Sequence, residues 1–225
     1  MKSKNNFKIS ISCDGGAASG KTTGAKLISK KYKLNFLSSG LLYRYASYLL
    51  LNNMPINKIK FLKKKFDKLN YKKLSKIRLH TEKVNSLVSI IAKKKSVRDI
   101  LKKYQLRFVK KYNKICIEGR DISYAILPKA DIKFFFMCNL DKASKRRWGE
   151  LKKINKKIKL SEVKKSLKIR DFNDKNRKHN PLIKSSDSIV IRSDILNKSQ
   201  MVKKMSKEVD KKLREKYGFR NKYRR

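Results

Sequence analysis

The chain has 225 residues, 63 of them Lys or Arg against 17 Asp or Glu, for a formal net charge of +46 at pH 7. That length holds one domain with a sizeable core, and no stretch nears the ~18 consecutive apolar residues of a membrane span, so no membrane partner is expected. The lysines run through every segment beside abundant Asn, Ile, Tyr and Phe and never gather into one block with interleaved aromatics, which is the mark of AT-rich coding sequence and gives no reason to expect a specific nucleic-acid partner.

Phe7–Cys13 (FKISISC) is a short apolar and β-branched run that reads as the first strand, and the charged residues ahead of it read as its lead-in, not as a secretory leader. Gly15-Gly16-Ala17-Ala18-Ser19-Gly20-Lys21-Thr22 follows, an uninterrupted match to G-x-x-x-x-G-K-[ST], and Thr22–Tyr32 reads as a helix. Strand, Gly-rich turn and helix in that order make a phosphate cradle. Backbone N–H groups from Gly15 through Thr23 converge on an anion, Lys21 reaches the β/γ-phosphates, and a Thr hydroxyl, Thr22 or Thr23, can hold Mg²⁺. The spacing predicts ATP or GTP.

Asn35–Leu37 reads as the second strand, followed by Ser38-Ser39-Gly40. From Leu49 to Asn113 there is no strand signal. Ile59, Leu62, Phe66 and Leu69 recur at helical spacing among lysines, Pro55 breaks the run early, and the stretch reads as a helical insert. Lys114–Ile117 is the third strand, with Glu118-Gly119-Arg120-Asp121 after it, and Ile132–Cys138 the fourth. Lys142 to Lys178 is a charged helical stretch carrying Arg146, Arg147, Arg170 and Arg177; Ser188–Ile191 is the fifth strand. Ser206 to Arg225 reads as a helix with a frayed basic end, GFRNKYRR. Cys13, Cys116 and Cys138 lie far apart, each within or at the end of an apolar run, and read as buried thiols of a reducing cytoplasm. His80 and His179 read as surface residues, and Trp148 as a helix residue.

Five short strands, most apolar on both faces and separated by helices, predict an α/β fold with a doubly wound parallel sheet. Ligands of such sheets sit beyond the carboxyl ends of the strands, where the polar signatures fall here. The loop near the start of a short chain and the absence of N-K-x-D favour a small-molecule kinase over a GTPase.

With these residues in view, the chain resembles the bacterial cytidylate (CMP/dCMP) kinases over nearly its whole length. Asp14 to Thr23 is similar to that family's D-G-P-S-G-x-G-K-[GS]-T, and Ser38-Ser39-Gly40-Leu41-Leu42-Tyr43-Arg44 to D-[ST]-G-x-x-Y-R. Ser89 to Arg98, with Gln105 and Arg107, resembles S-x-V-A-x-x-P-x-V-R…Q-R, and Glu118 to Ile122 resembles D-G-R-D-[IM]. Arg170-Asp171-x-x-Asp174-x-x-Arg177…Pro181-Leu182 resembles the lid segment R-D-x-x-D-x-x-R…P-L. Gly16 stands for the usual Pro, Ala18 for a loop Gly, and Ser38 and Glu118 for Asp.

The resemblance implies a three-layer α/β/α P-loop kinase fold with a five-stranded parallel sheet: one domain over 1–225, with a helical acceptor-binding insert at 45–113 and a lid at 142–180. It implies transfer of a phosphoryl group from ATP to CMP or dCMP with Mg²⁺, by a cytoplasmic monomer. It further implies that Arg44 and Arg120 grip the acceptor phosphate, that Arg170 and Arg177 approach the transferring group, and that Asp174 with Arg170 meets the acceptor's sugar and phosphate. Ser39 and Tyr43 would line the acceptor pocket, Arg146 and Arg147 would meet ATP from the lid, and the metal contact falls on Thr22. Two alternatives are a P-loop kinase of another small acceptor and a basic RNA-binding protein on a P-loop scaffold.

Overall fold

The computed structural model describes residues 7–153 and 155–218; the basic end Phe219–Arg225 lies outside them. Two compact units emerge, one from residues 1–37 and 113–225 and one from 38–112. Among the described residues no helix is long and apolar enough to cross a membrane.

The first unit holds strands β1 (Ile9–Gly15), β2 (Asn35–Ser38, whose last residue opens the other unit), β3 (Lys114–Gly119), β4 (Ile132–Met137) and β5 (Ile189–Arg192). They form a five-stranded sheet in the order β2-β3-β1-β4-β5. β1 runs parallel to β3, with Asp14 beside Gly119, and parallel to β4, with Gly15 beside Phe136; β4 in turn runs parallel to β5. The chain moves to one side of β1 for β2 and β3 and to the other for β4 and β5. The carboxyl ends of β1, β3 and β4 therefore border the crevice at the point where the order reverses.

Helix α1 follows β1, and the chain's last helix packs beside it. Ile9, Ile11 and Cys13 of β1 alternate inward with Phe134 and Phe136 of β4, and meet Ala25, Ile28 and Tyr32 of α1 (Lys21–Tyr32) together with the C-terminal helix of residues 198–217. Period two on the strands and 3.6 on the helices put these residues on one face. Left-handed Gly20 opens α1, and left-handed Lys33 closes it by donating its N–H to Lys30 O and Ser29 O. The Cys13 and Cys116 thiols lie 3.9 Å apart in the core, free and buried, while Cys138 is half-buried. His80 is exposed, and His179 is half-buried where a surface position was expected.

Each strand differs from the sequence reading by one or two residues at one end or both, and two of these differences have visible reasons. β1 starts at Ile9 because the N–H and C=O of Lys8 leave the ladder for the Tyr217 hydroxyl. β3 runs on to Gly119 because Glu118 and Gly119 still pair with Cys13 and Asp14.

The second unit is helical throughout: α2 (Ser39–Asn53), α3 (Lys58–Asp67), a 3₁₀ turn (Tyr71–Lys76), α4 (Glu82–Ile91) and α5 (Lys95–Lys111). Side-chain oxygens of Ser38, Asn57 and Thr81 accept from Leu41, Lys60 and Val84 N–H at the starts of α2, α3 and α4. Met54 ends α2 in the left-handed region (φ 38°), since Pro55 after it disfavours a helical conformation there. Leu62 and Phe66 are buried, with Tyr45 and Tyr104 against the Phe66 ring.

The remaining helices belong to the first unit: α6 (Leu140–Lys152), α7 (Leu160–Asn176) and α8 (Lys198–Tyr217). The single charged helical stretch expected over Lys142 to Lys178 is thus two helices.

Gly24 on α1 faces β4 so closely that a Cβ there would lie 2.7 Å from Phe136 Cζ. The Phe136 ring is fully buried in the core. Overpacking of this kind costs ~1–3 kcal/mol, against which alanine's helix preference returns at most ~1 kcal/mol. Gly24→Ala is therefore expected to lower stability in urea titrations by about 1 kcal/mol. In a Phe136→Leu background, where the ring tip is gone, the same change should be neutral or stabilising; an equal loss in both backgrounds would refute the packing argument.

Candidate active site

The turn between β1 and α1 is built on backbone angles that side chains resist. Gly15 has φ 152°, and a Cβ on it would meet the Phe136 carbonyl at 2.4 Å; Gly20 has φ 78°. Ala18 takes φ 53°, so the position where the family pattern has Gly does demand a left-handed residue, at a cost of ~1–2 kcal/mol for a side chain. Ser19 is buried, and Thr22 and Thr23 are exposed on the first turn of α1. The Lys21 ammonium curls back onto its own loop and donates to Gly16 O at 2.9 Å. Burial, and next the charge of Arg120, push its pKa down to about 7, with Glu118 opposing and Arg170 adding.

The next group grows from the carboxyl end of β3. Asp14, fully buried at the end of β1, accepts from Ile122 N at 2.9 Å and Ser123 N at 2.7 Å, which fixes the Arg120–Asp121 turn against the root of the loop. Burial raises the Asp14 pKa to about 6, although both backbone N–H groups oppose the rise. Arg120 Nε meets Asp174 Oδ2 on α7 at 2.8 Å. Arg177, just past α7, meets the other Asp174 oxygen at 3.4 Å and Asp121 Oδ1 at 3.5 Å, and donates from Nε to Asn180 O at 2.6 Å. Burial alone would raise the Asp174 carboxyl, but Arg120, Arg170 and Arg177 hold it below the usual carboxylate range.

A third contact reaches the loop itself. Asp171 Oδ1 accepts from Ala17 N at 2.7 Å, so α7 touches the cradle through a carboxylate. Arg146 of α6 is held by Ser193 after β5, donating to its Oγ at 3.0 Å and to its carbonyl. Its guanidinium lies near Gly20, whose added Cβ would be 3.7 Å away. Arg147 instead pairs with Glu150 at 2.8 Å. Trp148 donates its indole N–H to Ile158 O.

Within the first unit the structure thus gathers Lys21, Arg120, Asp174, Arg177 and the loop, and Arg170 is near enough to act on both Lys21 and Asp174. Ser39, Tyr43 and Arg44 sit on α2 in the second unit. There Ser39 is buried, Arg98 lies over the Tyr43 ring at 5.9 Å, and Arg44 donates to Asn85 Oδ1 and Gly40 O, each at 3.1 Å. Four residues have partners that the sequence reading did not assign: Asp14, Asp121, Asp171 and Asn85. The first three lie inside motifs already singled out, so motif membership was their signal. Nothing local marked Asn85.

The cytidylate kinase family pattern matches residues 11–211. A cytidylate kinase of Fusobacterium nucleatum is 31% identical over 214 residues, covering 90% of this chain and 98% of that protein. One of Mycoplasmopsis synoviae is 30% identical over 212 residues, covering 88% and 97%. Among solved structures, an uncharacterized protein from Eubacterium ventriosum superposes with a TM-score of 0.54 at 16% identity, over 91% of this chain and 99% of that one, a likeness of fold alone. A matched pattern over most of the chain, a P-loop at the sheet's switch point and relatives of this identity and coverage place the chain in the cytidylate kinase family.

Proposed function

We infer that this kinase moves the γ-phosphoryl group of ATP to a 5′-phosphate oxygen of CMP or dCMP: the bond to the bridging oxygen of ADP breaks and one to the acceptor oxygen forms. The observation that carries the reading is that Arg120, itself joined to Arg177 through Asp174, acts on Lys21 of the P-loop in a chain of this family. Several negative charges must share one small space, so catalysis here is positioning and neutralisation with little acid–base work.

Lys21 exchanges the Gly16 carbonyl for the β/γ-phosphates and follows the charge as it moves to the bridging oxygen. Arg170 and Arg177 neutralise the transferring group. Arg120 exchanges Asp174 for the acceptor phosphate, for which a planar fork is suited, and Asp174 turns to the acceptor's sugar. In the helical unit, Arg44 takes the acceptor phosphate, with Ser39 and Tyr43 in the acceptor pocket. Residues 45–113 serve as the acceptor-binding insert. Residues 142–180 serve as the lid, whose Arg146 and Arg147 meet ATP and whose closure excludes water.

The residues also fit magnesium held mainly by nucleotide oxygens and water. Thr22 presents an exposed hydroxyl on the first turn of α1, and the described residues contain no cluster of three or more His, Cys, Asp or Glu able to cage a metal by itself. When bound there, the ion supplies charge neutralisation on the β- and γ-oxygens. The enzyme works as a cytoplasmic monomer in this reading.

Coupled ADP release with ATP–Mg²⁺ and each of CMP, dCMP, UMP, AMP and GMP tests the assignment. Turnover is expected with CMP and dCMP well above the others, and Lys21→Ala should lower kcat by ~10²–10³-fold. Arg120→Lys keeps the charge and loses the fork, and should raise KM for CMP by about tenfold or more while leaving KM for ATP nearly unchanged. Equal or no turnover with all five nucleotides would overturn the reading.

The pKa of Lys21 gives a second check. Its value of about 7 lies below the ordinary 10.5, so near pH 8 the free enzyme carries it mostly neutral. Polyphosphate charge beside it favours the ammonium form and lifts the pKa again. ATP, whose own phosphate ionises at ~6, adds no proton exchange of comparable size at that pH. Binding near pH 8 is therefore expected to take up close to one proton, an uptake that fades below about pH 6, where Lys21 is already charged. Calorimetry in buffers of different ionisation enthalpy measures this, and a buffer-independent enthalpy near pH 8 would contradict it.

A further inference from the structure

The geometry points to Asp171 as an internal occupant of the phosphate cradle: its carboxylate holds the Ala17 N–H and must leave before a nucleotide polyphosphate enters. The inference rests on the reading of the loop as an ATP site and goes beyond it.

Three observations carry it. Asp171 Oδ1 takes the Ala17 N–H at 2.7 Å, a charge-assisted bond of the type the loop offers to a phosphate oxygen. Its second oxygen lies over the bare backbone of Gly16, 2.8 Å from where a Cβ would stand, so the approach exists only because residue 16 has no side chain. The helix behind it is docked as well, since Val163 and Leu167 of α7 pack with Ala17 and Ala143 in one small apolar cluster. A carboxylate is the side chain closest in charge and acceptor geometry to one edge of a phosphate.

The consequence is competition. Only molecules with Asp171 withdrawn can accept ATP, and the apparent affinity falls by that fraction. The competition also reaches Arg120, because α7 carries both Asp171 and its partner Asp174. A polyphosphate that expels Asp171 loosens the helix whose next turn neutralises Arg120.

The test measures ATP–Mg²⁺ affinity by calorimetry for the wild type, Asp171→Asn, Asp171→Ala and Gly16→Ala, with Asp141→Asn as a control for removing one carboxylate far from the loop. Asp141 is exposed and pairs with exposed Lys164. Gly16 needs no positive φ, so alanine fits its backbone and acts by pushing the Asp171 carboxylate away. Both Asp171 variants and Gly16→Ala are expected to tighten ATP by about fivefold or more. The double variant Gly16→Ala/Asp171→Ala should bind no tighter than Asp171→Ala, since the two changes remove one interaction. Asp141→Asn should stay within about twofold of wild type.

Trp148, the sole tryptophan, packs against the cluster containing Ala17 and reports the helix directly. Its emission in the ligand-free Asp171 variants should move toward that of the ATP-bound wild type. Unchanged or weaker ATP binding in folded Asp171→Asn, with Lys21→Ala still abolishing it, overturns the inference and leaves the ATP reading standing. Failure of the wild type to bind ATP overturns that reading first.

Discussion

The constraint on which the first unit depends is the presence of four cationic side chains around one turn of backbone. Arg120 and Arg170 act on Lys21, and Arg120, Arg170 and Arg177 act on Asp174, which in turn acts on Lys21. Bringing such charges out of water costs several kcal/mol each unless something neutralises them. A kinase needs that arrangement when several phosphates are present and must survive it when none is. Here the protein answers with its own acids: Asp174 between Arg120 and Arg177, Asp121 on Arg177, and Asp171 on the loop. Among the described residues the Lys21 ammonium meets no carboxylate directly; it sits on the Gly16 carbonyl, and burial with the charge of Arg120 depresses its pKa.

The sheet makes this possible by register. Parallel pairing sets Asp14 beside Gly119 and Gly15 beside Phe136, so the loop after β1 and the turn after β3 start level with each other. Asp14 then ties the two together through the N–H groups of Ile122 and Ser123. Burial raises its pKa to about 6, and without its carboxylate the two backbone donors it satisfies would be orphaned. The fold thus brings the turn that carries Arg120 to the loop through the backbone.

Much of this was legible in the sequence. The five strands, the helical character of residues 49–113 and the loop all follow from periodicity and glycine placement, which are local signals. Arg120, Arg170, Asp174 and Arg177 were legible only through their place in a family pattern, since an arginine in so basic a chain says nothing locally. What stayed hidden is pairing. No spacing rule links Asp171 to Ala17, 154 positions away, or Arg44 to Asn85, 41 positions away. Gly16 stands where the pattern has Pro, and only in the folded chain does it become the opening through which Asp171 reaches Ala17. Strand ends failed for a related reason, because Lys8 leaves β1 for a hydroxyl 209 residues away.

The charge of the whole chain gives these few acids their significance. A protein at +46 draws anions of every kind toward itself, and an open cradle of N–H groups would bind many of them. Only 17 acidic residues exist, yet Asp14, Glu118, Asp121, Asp171 and Asp174 all stand at the carboxyl ends of β1 and β3 or on the helix facing them. Long-range attraction does not discriminate among anions, because it depends on charge alone. A carboxylate already seated in the loop does discriminate, because an incoming anion must supply more than one carboxylate edge to replace it. Chloride and isolated monoanions do not meet that threshold, whereas a triphosphate offers several oxygens to the loop, to Lys21 and to the lid arginines at once. Selectivity for polyphosphate can thus come from a competitor the protein carries itself, in a molecule whose overall charge would otherwise work against selectivity.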